Sequence, residues 1–337
     1  MRGENEMKKI QAAVIGCGGW GPNLLNVFFS NTETKLRWMC DLSAARLEFL
    51  KQTFHDVQTT TDYQEILSDP KVDLVAIATP VDSHYPLAKA ALEAGKHVLV
   101  EKPMTASVAH AEELIALAAE KKLLLATDHV LVYTNEAQYL RNLIQRGDLG
   151  ELLYWDSVRL NLGAVRNDYN VLWDLAVHDV SLFYHVIGRM PKEVLAVGTS
   201  HVPGHPESMA QLHMFFENAF VAKVNVNWLS PVKMRHGVLV GTHKSVYYND
   251  MEASEKLRIY DRCVTCSAEG KTGYHLGDVL SPFVPPGDAL RNEVKQLVEG
   301  IRTGKPPIAD GYAGLDVVRI LAAAERSLRS GSLKVPV

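Results

Sequence analysis

Lys102 follows the apolar run His97-Val98-Leu99-Val100 and Glu101, and Pro103 comes directly after it. The run reads as a strand buried on both faces, so an amine and a carboxylate fall at its carboxyl end, with a proline fixing the backbone beyond. In an open α/β sheet, ligands bind in the crevice outside the carboxyl ends of the strands. An ammonium there can hydrogen-bond a substrate oxygen and stabilise negative charge developing on it. A second candidate lies in Trp173-Asp174-Leu175-Ala176-Val177-His178-Asp179. If this segment is helical, Asp174 and His178 at i and i+4 share one face. A carboxylate beside an imidazole raises its pKa and fixes its orientation, which suits a general base. The same spacing also serves a plain surface Asp–His pair. Together, Lys102 and His178 suit the oxidation of a secondary alcohol, one steadying the oxygen and the other taking its proton while hydride leaves for a nicotinamide.

A nicotinamide needs a dinucleotide site, and Gly16-Cys17-Gly18-Gly19-Trp20-Gly21 satisfies G-x-G-x-x-G after an apolar run and before a helical one. The first glycine permits the tight turn, the second lets the backbone approach the pyrophosphate, and the third lets helix pack on strand. The helix N-terminus then offers N–H groups to phosphate oxygens. Asp41, 20 residues after Gly21, is placed to accept hydrogen bonds from an adenosine ribose. A carboxylate there repels a 2′-phosphate and favours NAD over NADP. Arg46 is the one cation near enough to answer a phosphate, and it also reads as a helix-surface arginine. Thr79-Pro80 ends the apolar run Leu74 to Ala78 and falls at the same crevice, as do Glu101 and Lys102. His84, which starts the next helix, either contacts the nicotinamide end or sits at a solvated helix start.

These residues need a frame. Strands are expected at Ile10 to Ile15, Leu36 to Cys40, Leu74 to Ala78, His97 to Val100 and Leu123 to Thr127, with helices at Asn23 to Phe29, Ser43 to Thr53, Tyr85 to Ala94 and Val108 to Lys122. Such alternation predicts a doubly wound parallel sheet, an N-terminal Rossmann domain over residues 1–129. Beyond residue 130 the segments Leu152 to Leu160, Glu193 to Val202, Ser208 to Glu217, Ala219 to Leu229, Val238 to Tyr248 and Leu257 to Tyr260 read as strands, several with apolar residues at every second position. They predict an α+β C-terminal domain over 130–337 with a large, mostly antiparallel sheet, closed by helices at Ala289 to Arg302 and Leu315 to Ser330. Ser281 to Gly287, rich in proline and glycine, reads as a surface crossing.

The chain of 337 residues is long enough for two cores, and its net charge of −4, without a basic run, argues against nucleic-acid binding. No apolar stretch has the length of a membrane span, and the polar start from Met1 to Lys9 lacks the apolar middle of a signal peptide, so a cytoplasmic location is expected. Cys263 and Cys266 form a lone C-x-x-C without the further ligands a zinc site needs, so no metal is expected. A half-apolar sheet needs a cover, either the terminal helices or a second subunit.

Taken together, Gly16 to Asn23, Ala94-Gly95-Lys96-His97-Val98 leading to Glu101-Lys102-Pro103-Met104, and Asp174 with His178-Asp179 resemble the glucose–fructose oxidoreductase / inositol dehydrogenase / MocA family over nearly the whole chain. The resemblance implies an NAD-dependent enzyme with Lys102, Asp174 and His178 as the catalytic set and His178 as base. It implies a cis peptide at Lys102-Pro103, and dimers or tetramers built through the C-terminal sheet. Trp20-Gly21-Pro22-Asn23 and Asn170-Val171-Leu172-Trp173 are similar to members that oxidise the C3 hydroxyl of nucleotide-activated sugars. Those members read Trp-Ser-Phe-Ala-Pro-His-Asp where this chain has Trp-Asp-Leu-Ala-Val-His-Asp, and Asp174 is closer to the inositol and free-sugar dehydrogenases. Arg166 and Asn170, in a stretch dense in hydrogen-bonding groups, are the expected substrate contacts beside Lys102, Asp174 and His178. The family also contains a regulator that binds cofactor and sugar without turnover, and relatives that cleave glycosides through a transient 3-keto sugar.

Overall fold

The computed structural model describes residues 8–268 and 270–337, which divide into two units. The elements run in chain order as β1 Ile10–Ile15, α1 Gly21–Ser30, β2 Thr34–Cys40, α2 Ala44–Lys51, β3 Gln58–Thr60, α3 Tyr63–Ser68, β4 Leu74–Ile77, α4 His84–Glu93, β5 His97–Glu101, α5 Val108–Lys121 and β6 Leu125–Asp128. They continue as α6 Asn135–Gln145, β7 Leu152–Leu162, α7 Val177–Ile187, β8 Glu193–Thr199, β9 Met209–Phe215, β10 Val221–Asn227, β11 Leu229–Gly241, β12 Ser245–Asn249, β13 Leu257–Cys266, β14 Thr272–Leu280, α8 Ala289–Thr303, α9 Gly311–Arg329 and β15 Val335–Pro336.

In the first unit six parallel strands lie in the order β3-β2-β1-β4-β5-β6. The order reverses between β1 and β4, the switch point where such sheets bind ligands. Every residue of β4 is buried, as a strand covered on both faces requires. The expected strands and helices recur within a few residues. β3 and α3 were not anticipated, because segments of three and six residues carry too little periodicity to register.

The division between units differs from a single boundary at 129/130. The first unit runs to Tyr133 and also takes Asp288–Val318; the second takes Thr134–Gly287 and Arg319–Val337. The cause is α8, whose Val294, Leu297 and Val298 pack in the core formed by Leu24, Leu25 and Phe28 of α1 and by Ala12 and Val14 of β1. A strongly amphipathic helix goes where its apolar stripe finds cover, whatever its position in the chain.

The second unit is a nine-stranded sheet ordered β14-β13-β12-β11-β7-β10-β9-β8-β15. Only β7 and β10 pair in parallel; the other neighbours are antiparallel. On β10 the alternation holds, with Ala222, Val224 and Val226 buried and Lys223, Asn225 and Asn227 half-buried. Val238 to Tyr248, expected as one strand, is a hairpin of β11 and β12 turned at 242–244. Cys263 and Cys266 both lie on β13. Three residues of extended chain span about 10 Å and point the side chains to opposite faces, so this C-x-x-C cannot close a disulfide. Among the described residues no group of three His, Cys, Asp or Glu is gathered to hold a metal ion, and no helix is long and apolar enough to cross a membrane.

Candidate active site

In the first unit the site begins at the β1–α1 turn. Gly16 has φ of +92°, and a side chain there would strike the Ala78 carbonyl at the end of β4. Gly21 is excluded from bearing one by the Gly16 carbonyl. Gly18 and Gly19 are exposed, and a Cβ on either would meet nothing. The two outer glycines are thus demanded by packing and the inner two leave bare backbone at the surface, the arrangement that lets a pyrophosphate approach. Helix α1 has Pro22 at its start and no acidic residue in its first turn, so no side chain of its own first turn repels an anion at its N-terminus.

Asp41, just past β2, accepts the Cys17 N–H through Oδ2 and the Ser43 N–H through Oδ1, both at 2.8 Å. Two main-chain donors fix the carboxylate beside the turn, leaving lone pairs for a ribose hydroxyl. Arg46 is not a free surface arginine but is tied to the glycine turn. Its Nε donates to the Cys17 carbonyl at 2.9 Å and its guanidinium lies over the Phe49 ring. Thr79, after β4, accepts a hydrogen bond from Ser83, and Pro80 is exposed.

His84 corrects both expectations made for it. It is 1% exposed, and its ring nitrogens sit 2.9 Å from the carbonyls of Pro103 and Thr79. Burial lowers its pKa, against the pull of the two carbonyls. A neutral imidazole donates to one of these carbonyls, and the buried ring wedged between them is a brace between the ends of β4 and β5 rather than a cofactor contact or a solvated helix start. One of the carbonyls it holds belongs to the residue after Lys102, and the Lys102-Pro103 peptide is cis, as the resemblance implied. Glu101 and Lys102 are half-buried, and Glu101 is in register with Asp128 on β6.

Sequence reasoning missed the residues around Asp128. Asp128 accepts the Trp20 indole N–H, and Glu293 of α8 is completely buried close by. His129 is buried with neither ring nitrogen hydrogen-bonded, and burial, with Lys102 second, depresses its pKa to about 3. The one legible signal was Glu293, a charge adjoining the apolar stripe of an amphipathic helix. A separate hollow of about 360 Å³, lined by His97, Leu124, Pro307 and Asp310, lies at the amino ends of β5 and β6 and so apart from this crevice.

In the second unit Asp174 and His178 do not lie on one regular α-helix. Leu172–Ala176 is wound as a π-helical turn, and α7 begins at Val177. Such turns are frequent at functional sites. Asp174 Oδ2 accepts the Trp228 indole N–H at 2.9 Å, which fixes the carboxylate from the end of β10. Both Asp174 and His178 are half-buried. The helix start is anchored to the sheet by the next residue, Asp179, whose carboxylate accepts from Arg159 and Ser157 on β7. Asn170 is buried and committed to the scaffold: its amide donates to Glu325 at 2.6 Å and its Oδ1 accepts the Leu172 N–H. Arg166 is exposed, with its guanidinium against Tyr169.

The glycine turn at the switch point of a six-stranded parallel sheet is the arrangement of a dinucleotide-binding domain. Residues 10–129 match the model of the GFO/IDH/MocA oxidoreductase family with an NAD-binding Rossmann fold, and residues 137–247 match the C-terminal domain of the same family. The chain belongs to the GFO/IDH/MocA family. It is 30% identical over 269 residues to the UDP-N-acetylglucosamine 3-dehydrogenase of Acidithiobacillus ferrooxidans, covering 75% of this chain and 77% of that one. It is 29% identical over 212 residues to an NADP(+)-dependent scyllo-inositol 2-dehydrogenase of Bacillus subtilis, 58% of this chain and 56% of the other. GenD2 from gentamicin A biosynthesis, solved in complex with NAD, shares the fold with a TM-score of 0.83 at 24% identity, over 100% of this chain and 99% of that one. The protein is an oxidoreductase of a family whose relatives are sugar and polyol dehydrogenases acting on CH–OH groups.

Proposed function

We propose that the protein transfers hydride between NAD and a secondary hydroxyl of a sugar, with C3 of a nucleotide-activated sugar as the leading substrate. The observation that carries this reading is the similarity to UDP-N-acetylglucosamine 3-dehydrogenase across three-quarters of both chains. NAD is favoured over NADP by the fixed Asp41 carboxylate beside the glycine turn.

When bound, the nicotinamide supplies the hydride acceptor. His178 serves as the base for the hydroxyl proton, with Asp174 orienting it and held in turn by Trp228. Lys102 steadies the substrate oxygen as charge develops. Arg166 contacts the substrate, and Asn170 acts through the helix start that it caps. The exposed apolar residues Val264, Tyr274 and Leu276, on one face of β13 and β14, support assembly into dimers or tetramers through this sheet. Four free cysteines suit a cytoplasmic location.

The test is purified protein offered NAD or NADP with UDP-sugars, inositols and free hexoses, followed by NAD(P)H absorbance. Turnover of UDP-sugars supports the reading, and turnover confined to inositols or hexoses moves it to that class, which Asp174 favours. Tight binding without turnover points to a regulator, and sugar cleavage without net NADH points to glycoside chemistry.

A further inference from the structure

Trp20, Asp128 and Glu293 come together from the glycine turn, the end of β6 and α8. The Trp20 Nε1–H donates to Asp128 Oδ2 at 2.6 Å. Asp128 is 2% exposed and Glu293 0%. Among the described residues Asp128 Oδ1 and both Glu293 oxygens accept from no donor, and the two carboxyl groups are close enough to perturb each other. Two ionised carboxylates do not share a dry site. A single proton resolves the conflict: Glu293, its pKa raised by burial and then by Asp128, stays a neutral acid and donates to Asp128. Burial raises the Asp128 pKa as well, but the hydrogen bonds from Trp20 and Glu293 and the Lys102 charge work against it, so of the two carboxyls Asp128 is the better placed to carry the charge.

Asp41 and Arg46 hold the turn at Cys17, and Trp20 is the first side chain beyond its bare glycines. Gly18 and Gly19 are exposed and have no side chains to pack. Trp20 is the residue before α1 and makes no capping bond, but its half-buried ring packs on the core. Glycine backbone loses the most conformational freedom on ordering, so a turn ordered beforehand binds more tightly.

We propose that Asp128 and Glu293 are positioning residues for the dinucleotide: neutral Glu293 fixes the Asp128 carboxylate, and Asp128 holds Trp20 and thereby the Gly18–Gly19 backbone in the conformation that receives the pyrophosphate. This rests on the dinucleotide reading of the turn and extends it to two residues that touch no cofactor.

The test is a double-mutant cycle on NADH and NADPH dissociation constants, read by nucleotide fluorescence, with Tm measured in parallel. Trp20→Phe and Asp128→Asn each weaken binding about tenfold, the scale of one charge-assisted hydrogen bond, and the double variant is no weaker than either single one. Glu293→Leu weakens binding likewise, and Glu293→Gln, whose amide still donates, restores most of the loss. Additive effects of Trp20→Phe and Asp128→Asn, or a lower Tm with unchanged dissociation constants, would overturn the proposal alone. Failure of the unaltered protein to bind either dinucleotide would overturn the parent reading with it.

Discussion

Arg159 and Asp179 form an ion pair 5% and 4% exposed, and Asp179 is the residue next to His178. A charge left alone in such a place is far more costly than the pair is stabilising. Asp179→Ala is therefore expected to lower unfolding stability by about 3–5 kcal/mol. Urea denaturation measures it, and a loss under about 1 kcal/mol, the range of an exposed pair, would show that Arg159 finds water or another partner.

Lys102→Ala and His178→Ala are each expected to lower kcat by about 10²-fold or more, the scale of a positioned acid–base group, with cofactor affinity retained. Steady-state kinetics and NADH titration separate the two quantities. Turnover near the unaltered level in either variant would remove that residue from the chemistry.

Asp41→Asn replaces a fixed charge with a neutral amide. Hydrogen bonds to a charged group contribute about 1.5–3 kcal/mol, so the preference for NAD over NADP is expected to fall about tenfold or more. The ratio of kcat/KM for the two cofactors reads this directly. An unchanged ratio would shift the discrimination to Arg46 or elsewhere.

His185 on α7 accepts a hydrogen bond from Arg141 at Nδ1, 3.0 Å away, and burial, with Arg141 second, lowers its pKa from 6.5 to about 4. Between those values the unfolded chain binds the proton and the folded one does not. Stability from this group is therefore complete above about pH 6.5 and lost as pH falls toward 4, amounting to about 2 kcal/mol between pH 7 and 5. His185→Gln should lose that much less than the unaltered protein over the same interval in urea melts. Equal losses would assign the acid sensitivity to other groups.

Tyr274 and Leu276 are 79% and 78% exposed on the same face of the edge strand β14. Replacing both with lysine should shift the protein toward monomer in light scattering, and an unchanged mass would place any interface elsewhere.

The parallel sheet and its glycine turn were legible because their signals are local: apolar runs of strand length, a spaced set of glycines, and an acid at the next strand end. The place of Lys102 at the end of β5 was legible for the same reason. The β11–β12 hairpin was not, since Gly241-Thr242-His243-Lys244 carries one strong turn residue and the flanking residues continue the same period. His84 was misread because its partners are main-chain carbonyls, which leave no trace in side-chain identity. Trp20, Asp128 and Glu293 are brought together only by the fold, and a glutamate on an amphipathic helix ordinarily faces water. The π-helical turn under Asp174 has no known sequence mark to read.

Helix α8 enters the chain about 160 residues after β6 yet supplies Val294, Leu297 and Val298 to the first core. During synthesis from the N-terminus the dinucleotide unit therefore emerges with an apolar groove open along α1 and β1, and with Asp128 lacking its acid partner. It cannot complete its core until α8 has been made, unlike an N-terminal unit that folds as soon as it emerges. Strands β7 to β14 are made before α8, and a chain cut after Tyr133 would be a fragment rather than a domain.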